Sequence, residues 1–548
     1  MTFREGRWYT LSCRITWQLS SQKYFAGAYH MTQKVKRNFL NALLCTLLFA
    51  LAPALFSSNV SAQSNITGLW LYQTPTGDGN FRDLFLDLHQ DGETVTGKVM
   101  FSLNHAVPIS EGTLRNGALH FVVIFGRPPQ TRQVTYDGSA KDGKLFLTSA
   151  FPGRPTLQGV AQRTTEKALQ PPARLPLPAL HDVRDNGLAR TPPMGWNSWN
   201  KFAGKVTDKD VREMADAMVS SGMKAAGYKY INIDDTWEGP RDAKGNITSN
   251  QKFPDMKALA AYVHSKGLKI GIYSSPGPKT CAGYTGSYGH EQQDADTYAA
   301  WGFDYLKYDW CSASEIYKNA EMRPVYQKMG DALLKTGRPI VFSLCQYGDE
   351  DVWTWGAKVG GNLWRTTDDI NDTWKRMSDI GFNQFAIAKY IRPGHWNDPD
   401  MLEIGNGGMT DEEYRTHMSL WSLLAAPLLA GNDLRTMSDS IKAILTNREV
   451  IAIDQDPAGK PARRISDPAS TAVVVVRPLH DGSFAVGLFN RADQPQKVTV
   501  NWSDAGLGGK KLRLRDLWKH EDVANSGASY TASVPTHGVV LLRVTPSK

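Results

Sequence analysis

Between residues 191 and 458, short β-like runs alternate with helix-length stretches, and this alternation restricts the chain to very few architectures. The strand candidates are 194–199, 230–234, 269–273, 305–309, 339–344, 363–366, 395–398 and 427–430. One intervening helix is expected to begin after Thr207, a side chain suited to capping free N–H groups, with Val211, Met214, Ala215 and Met218 following at helical spacing on one face. Eight strand–helix units in roughly 270 residues predict a (β/α)8 barrel. A doubly wound sheet is the alternative, but no G-x-G-x-x-G follows a strand here.

Working residues of such a barrel sit where strands end and loops begin. Four predicted strands run into acids: 230–233 into Asp234-Asp235, 305–308 into Asp309, 364–367 into Asp368-Asp369, and 395–397 into Asp398-Pro399-Asp400. Glycosidic hydrolysis needs two carboxyl groups, one to donate a proton and one to stabilise or trap an oxocarbenium-like centre. Lys307 precedes Asp309 by two residues, so both side chains face the same side of one strand, and the cation favours an ionised Asp309. A single Asp after a strand is most simply a helix cap. Four such clusters with Lys307 and Arg365 are better read as one site. A two-metal centre is the rival for an acid-rich mouth. There Lys307 and Arg365 stand where cations would sit, no His ligand set accompanies the acids, and no Cys-x-x-Cys or His-Glu-x-x-His occurs. Neither a metal nor an organic cofactor is expected.

Flanking segments differ in kind. Residues 63–165 hold alternating runs such as Leu84-Phe85-Leu86-Asp87-Leu88, punctuated by Asp91-Gly92, Arg115-Asn116-Gly117 and Lys141-Asp142-Gly143, which fit hairpin turns. An all-β domain closed as a small barrel or sandwich is expected, its role either carbohydrate binding or spacing. Residues 166–190 carry Pro171, Pro172, Pro176 and Pro178 and form a linker. Residues 460–548 return to alternating strands, read as an antiparallel β-sandwich. The expected fold class is therefore multidomain: a central (β/α)8 barrel over 191–459 between an N-terminal all-β domain and a C-terminal antiparallel β-sandwich.

The formal charge of +8 suggests an acidic partner until it is located. Seven basic residues and one acidic residue, Glu5, fall in 1–62, leaving +2 for the rest and no electrostatic case for nucleic acid. The same segment explains the excess. Met31 is a second possible start, Lys34, Lys36 and Arg37 form a basic region, 39–56 is apolar, and Val60-Ser61-Ala62 is a small-residue cleavage site. This is the pattern of a secretory leader removed after Ala62, with 1–30 an upstream extension, so an exported protein without stable membrane association is expected. An uncleaved anchor is the other reading of the apolar run. Of five cysteines, Cys13 and Cys45 lie in the leader, and an odd three remaining in an exported chain suggest one disulfide and one free thiol.

Ordered motifs across the barrel resemble glycoside hydrolase family 27, the melibiase family. They include Pro193-Met194-Gly195-Trp196-Asn197-Ser198-Trp199, Asn232-Ile233-Asp234-Asp235, Tyr305-Leu306-Lys307-Tyr308-Asp309-Trp310-Cys311, Trp364-Arg365-Thr366-Thr367-Asp368-Asp369-Ile370 and Trp396-Asn397-Asp398-Pro399-Asp400-Met401-Leu402. The resemblance covers 190–460 closely and the C-terminal sandwich by arrangement; 63–165 lies outside it.

The resemblance implies an α-galactosidase that retains configuration, acting on terminal α-galactosyl residues of a carbohydrate substrate. It implies Asp309 as nucleophile and Asp369 as acid/base. It places Asp234 and Asp235 at the sugar's O6 and O4, Lys307 at O3 and O4, and Arg365 near O2 and the acid/base. Trp199 and Tyr273 become an aromatic wall, Asp400 a further site carboxylate, and Cys281 with Cys311 a disulfide beside the nucleophile. Two departures stand out. Many members have Cys-Glu-Trp-Gly where this chain has Cys345-Gln346-Tyr347-Gly348, in the loop that faces O2, and some have Gly where Asp368 precedes the acid/base. The family also includes α-N-acetylgalactosaminidases, β-L-arabinopyranosidases and isomaltodextran-cleaving enzymes; a glycan-binding protein without catalysis is a further alternative, which the presence of both carboxylates disfavours. Oligomeric state is not legible in the chain.

Overall fold

The computed structural model describes residues 65–547 apart from 77, 103–104, 128–129, 153–155 and 525–526. The leader expected over 1–62, with its start at Met31 and cleavage after Ala62, lies outside the described residues. Among the described residues no helix is long and apolar enough to cross a membrane.

The first eight strands, β1 (Gly68–Pro75), β2 (Phe81–Asp91), β3 (Thr94–Ser102), β4 (His105–Arg115), β5 (Ala118–Arg127), β6 (Gln130–Lys141), β7 (Lys144–Ala150) and β8 (Leu157–Arg163), form a closed antiparallel barrel in sequence order. Two-residue turns make this possible: Asn116-Gly117 joins β4 to β5 and Asp142-Gly143 joins β6 to β7, all four residues at positive φ. Such turns match the twist of the paired strands. Alternate residues fill the interior, among them Trp70, Tyr72, Leu86, Phe121, Val123, Tyr136 and Leu147. Of the two closures expected, the barrel is the one formed; β1 pairs with β8 through Trp70–Arg163 to Gln73–Val160.

The segment after it is a strap bonded along its length rather than a free tether. A 3-10 turn, Glu166–Leu169, packs Leu169 against Phe85 and Met100 on the outside of the small barrel. Further on, the Leu175 N–H donates to the Tyr288 hydroxyl (2.8 Å), Gln327 donates to the Ala179 carbonyl (2.9 Å) and the Val183 N–H to the Lys358 carbonyl (2.8 Å).

The central region holds β9 (Met194–Asn197), β10 (Tyr230–Asn232), a small hairpin of β11 (Glu238–Arg241) and β12 (Ile247–Ser249), then β13 (Lys269–Ser274), β14 (Tyr305–Asp309), β15 (Val341–Cys345), β16 (Leu363–Arg365), β17 (Trp396–Asp398) and β18 (Leu428–Ala430). Without the hairpin these make an eight-stranded parallel sheet ordered β17-β16-β15-β14-β13-β10-β9-β18. Leu402, just past β17, pairs in parallel with Ala430 of β18, so the two ends of the sheet meet. All eight predicted strands are present, several shorter than expected. The run 194–199 stops at Asn197 because Trp199 opens a helical turn, and the run 339–344 shifts to 341–345 because the Val341 N–H pairs with the Asp304 carbonyl. The helix Asp208–Ser220 begins as expected: the Thr207 hydroxyl accepts from the Asp210 N–H, Asp210 reaches back to Thr207, and Val211, Met214, Ala215 and Met218 are buried.

C-terminal strands β19 (Arg463–Arg464), β20 (Ala472–Pro478), β21 (Phe484–Asn490), β22 (Gln496–Asn501), β23 (Leu512–Asp516), β24 (Glu521–Val523), β25 (Ser529–Val534) and β26 (Val539–Pro546) form a six-stranded antiparallel sheet, β19-β20-β21-β26-β23-β24, and a β22-β25 pair. Val486, Leu488, Val498, Val500, Trp502 and Leu542 fill the space between them. Antiparallel β structure therefore flanks a central parallel sheet on both sides, the multidomain order expected from the sequence.

Candidate active site

The C-terminal ends of the parallel strands open into one cavity. Trp199, Asn200, Asp234, Asp235, Tyr273, Cys281, Lys307, Asp309, Tyr347, Arg365, Asp369, Asp400 and Met401 line it. Strand register explains the convergence. Tyr273 of β13 lies beside Lys307 of β14, Asp309 lies beside Cys345 of β15, and residues two apart on a strand share a face.

Asp309 ends β14 and is 4% exposed. Its Oδ1 accepts from the Tyr347 hydroxyl (2.7 Å) and the Trp310 N–H (2.8 Å), and its Oδ2 from the Tyr273 hydroxyl (3.0 Å). Burial raises its pKa; Lys307, the Tyr347 hydroxyl and the Trp310 N–H oppose this, and the net shift is upward. The sequence suggested that Lys307 would serve Asp309 directly. Instead the ammonium bonds Asp234 Oδ2 at 2.8 Å and lies 5.4 Å from the centre of the Tyr273 ring, so its effect on Asp309 is through space. Burial, the largest influence, lowers the Lys307 pKa, but Asp234 and the other acidic groups around it, Cys345 and Asp309, together outweigh it and hold this lysine well above its ordinary range.

Asp234 also accepts from the Asn197 amide (2.8 Å), and the Asp234 N–H donates to the Ser198 hydroxyl (2.9 Å). Asp235 accepts from the Ala282 N–H (2.8 Å) and the Thr236 N–H (2.6 Å). Burial is the main reason its pKa is pushed up to about 7; neighbouring Asp234 adds to the rise and the two N–H donors oppose it. Thr236 sits at φ 81°, a costly conformation for a β-branched residue. It is held there by Glu238, which accepts from the Thr236 N–H (3.0 Å), and by Asn250, which donates to its carbonyl (2.8 Å). Glu238 is itself buried, and burial first, then Asp235, pushes its pKa well above the carboxylate range.

Across the cavity Asp369 follows β16, and its side chain is 67% exposed. The Arg365 guanidinium holds it: Nη2 lies 3.0 Å from Asp369 Oδ1 and 3.0 Å from Asp400 Oδ2. Asp400, at φ 84°, also accepts from the N–H groups of Ile370 (2.8 Å) and Met401 (2.9 Å). Asp368 is exposed, and Asp349 has its pKa raised by burial and by the charge of Asp368.

Of the expected site residues, one is misplaced. Cys345 is buried behind the wall and does not line the cavity; its sulfur accepts from Arg365 Nη1 at 3.6 Å and so backs that guanidinium. Asp309 is its direct neighbour across β14 and β15, so the two side chains share a face of the sheet, and the thiol is covered there by the Arg365 guanidinium. Cys281 and Cys311 form the disulfide and Cys345 is free. Cys281, Asp309 and Cys311 are also the one three-residue grouping of metal-ligating side chains among the described residues, and the disulfide removes both thiolates from it. Asn200 and Met401 line the cavity without having been expected. Asn200 bonds Glu403, a buried carboxyl whose pKa burial pushes to about 7. Met401 falls inside a motif already recognisable in the sequence, Asn200 directly follows one, and Glu238 lies only three residues after Asp235.

A polar, acid-lined cavity at the strand ends of a parallel β/α sheet, with two carboxylates on separate strands facing one space, defines the class: an enzyme built to work on a hydroxyl-rich substrate. Comparison with known proteins narrows this. Residues 191–456 match the family described as alpha galactosidase A, and residues 469–544 match the alpha galactosidase C-terminal beta sandwich domain. Alpha-galactosidase A of Cellvibrio japonicus is 48% identical over 383 residues, covering 66% of this chain and 93% of that one. The crystal structure of alpha-galactosidase I from Mortierella vinacea superposes with a TM-score of 0.63 at 37% identity, covering 66% of this chain and 99% of that one. A Bacteroides fragilis structure, 32% identical with a TM-score of 0.63, covers 87% of this chain and 92% of its own, and so reaches into the region before residue 191. The chain belongs to the melibiase family, glycoside hydrolase family 27.

Proposed function

We propose that this protein is a retaining α-galactosidase that releases terminal α-D-galactosyl residues from oligo- or polysaccharides, on a (β/α)8 barrel spanning 191–459 and closed through Leu402 and Ala430. Its relatives' activity and one geometric feature support this: a buried, thrice-bonded Asp309 faces the same cavity as an exposed, arginine-held Asp369.

In this reading Asp309 is the nucleophile. Tyr273, Tyr347 and the Trp310 N–H hold both of its oxygens, so it meets the anomeric carbon in a fixed orientation and little reorganisation accompanies attack. Asp369 protonates the departing oxygen, then takes a proton from the water that cleaves the glycosyl-enzyme. Its exposure places it where that water enters, and Arg365, whose charge is shared with Asp400, keeps it in position. Asp234, Asp235 and Lys307 form the clamp for the axial O4 and its neighbours. An epimer with equatorial O4 leaves buried charged groups unpaired, at about 1–3 kcal/mol each.

Export follows as a second part of the proposal, supported by the leader pattern in 1–62 and by the Cys281–Cys311 disulfide, which oxidising compartments favour. A mature N-terminus at Gln63, found by mass spectrometry of protein from the producing cell, is the expected result; retention of 31–62 would refute cleavage.

The test of activity is a panel of nitrophenyl glycosides: α-galactoside, α-N-acetylgalactosaminide, β-L-arabinopyranoside and α-glucoside. Preference for the α-galactoside supports the clamp. Preference for another sugar moves the specificity to the Gln346-Tyr347 loop, and absence of turnover on all four removes the catalytic reading.

A further inference from the structure

We infer that the N-terminal β-barrel supplies one wall of a binding cleft for the leaving-group side of the substrate, an uncharged oligosaccharide chain. This rests on the glycosidase reading above and assigns a role to the region that the melibiase family matches do not cover.

The cleft is open to solvent and larger than the catalytic cavity. One wall is the small barrel, with Arg82 and Phe85 of β2 and Phe101 of β3; the strap contributes its floor at 168–172. The opposite wall is the 278–283 loop of the catalytic region, together with Glu315. Cys281 lines both the cleft and the catalytic cavity, so the two spaces adjoin at that residue. A glycoside whose terminal sugar occupies the catalytic cavity has its remaining sugars at this rim.

Both walls are held firmly. On the catalytic side, the disulfide ties Cys281 to Cys311, and the Ser312 hydroxyl donates to the Lys279 carbonyl (2.7 Å) while accepting from the Lys279 N–H (2.9 Å). On the other side, the turn between β1 and β2 plugs into the catalytic region. Asp78, 2% exposed, accepts from the Tyr284 hydroxyl (2.7 Å) and the Asn250 amide (3.3 Å) and lies 3.5 Å from the Lys252 ammonium. The Gln251 N–H donates to the Asp78 carbonyl (3.1 Å), and the Asn80 amide donates to the Glu238 carbonyl (3.0 Å). A flexible tether would not need a buried ion pair at its contact point.

The lining suits neutral sugars. Phe101, packed edge-on against Phe125, is 44% exposed and lines the cleft, and aromatic rings stack on the C–H faces of pyranose rings. Around it Arg82, Asp83, Gln170, Lys279 and Glu315 mix both charge signs with amide groups, a set that offers hydrogen bonds to hydroxyls without a net field for an ionic ligand.

The experiment compares the full chain with its Phe101→Ala and Lys279→Ala variants, one on each wall, on two kinds of substrate. Nitrophenyl α-galactoside reaches only the catalytic cavity; stachyose, a neutral tetrasaccharide ending in α-galactose, and a galactosyl-branched mannan extend beyond it. We expect kcat/KM on at least one extended substrate to fall about tenfold, with the nitrophenyl substrate changed less than about twofold. Retained nitrophenyl turnover also reports that each variant is folded. Parallel losses on all substrates, or no loss on the extended ones in either variant, would overturn the cleft. Failure of the wild-type chain on every galactoside would instead remove the glycosidase reading itself.

Discussion

Asp235 combines a binding role with a cost to the fold, and replacing it by Asn separates the two. Its carboxyl is buried, and mainly for that reason its pKa stands at about 7, against about 3.9 for an aspartate in an unfolded chain. Below about pH 4 the group is protonated in both states and folding carries no penalty from it. Between about pH 4 and 7 the unfolded chain releases a proton that the folded chain keeps, so stability falls as pH rises; above 7 the loss is complete. Three pKa units at 1.36 kcal/mol each set that loss at on the order of 4 kcal/mol. Asp235→Asn abolishes this slope. It also exchanges one oxygen for an N–H2 that cannot accept from Ala282 or Thr236, leaving one donor unpaired at about 1–3 kcal/mol. The variant is therefore expected to be less stable than wild type near pH 4.5 and more stable, by about 1–3 kcal/mol, near pH 7.5, while losing at least tenfold in kcat/KM on an α-galactoside. Thermal unfolding of both proteins across that range is the assay, and the two melting curves should cross. A variant less stable than wild type by the same margin at every pH would refute the argument that burial of this carboxylate opposes folding.

Further expectations concern other parts of the site and its supports. Asp309→Asn should lose at least about 10³-fold in kcat while still binding galactose by calorimetry, because ground-state contacts stay and the nucleophile goes; near wild-type turnover would end its assignment. Asp78→Ala leaves the Lys252 ammonium, with only 14% of its side chain exposed, without its carboxylate, and should destabilise by about 3–5 kcal/mol; adding Lys252→Met should recover part of this, whereas additive losses would mean the pair is not coupled. Gly348→Ala should lower kcat: Gly348 stands at φ 90°, and a Cβ there would lie 2.4 Å from the Thr366 carbonyl, so Tyr347 must move off Asp309. An unchanged rate in this variant would show that the Tyr347 contact is dispensable. Cys281→Ser with Cys311→Ser opens a loop with a sequence separation of 30 and should cost about 3–4 kcal/mol in thermal or denaturant unfolding.

Local pattern alone determined much about this protein. Alternation with Asn-Gly and Asp-Gly turns is enough for the successive hairpins of the N-terminal domain, because a two-residue turn with both φ values positive pairs the strands on either side of it, but closure as a barrel rather than a sandwich came from the long-range pairing of β1 with β8. Eight strand–helix periods with acids at strand ends placed Asp234, Asp235, Asp309, Asp369 and Asp400 at one mouth, since parallel strands of such a sheet all end on the same side. The partners of those acids are another matter. Lys307 and Asp309 are two residues apart, yet the lysine bonds Asp234, two strands away, and Cys345 lies in a recognisable motif yet is covered by the Arg365 guanidinium. Glu238 and Asn250 hold the strained Thr236 through contacts set by the hairpin's path. Nor does any local signal join Asp78 to Lys252 across more than 170 residues. Short-range periodicity decides which face a side chain takes and which end of a strand it occupies; which charge it meets there depends on how elements distant in the chain pack, and only the tertiary structure decided that.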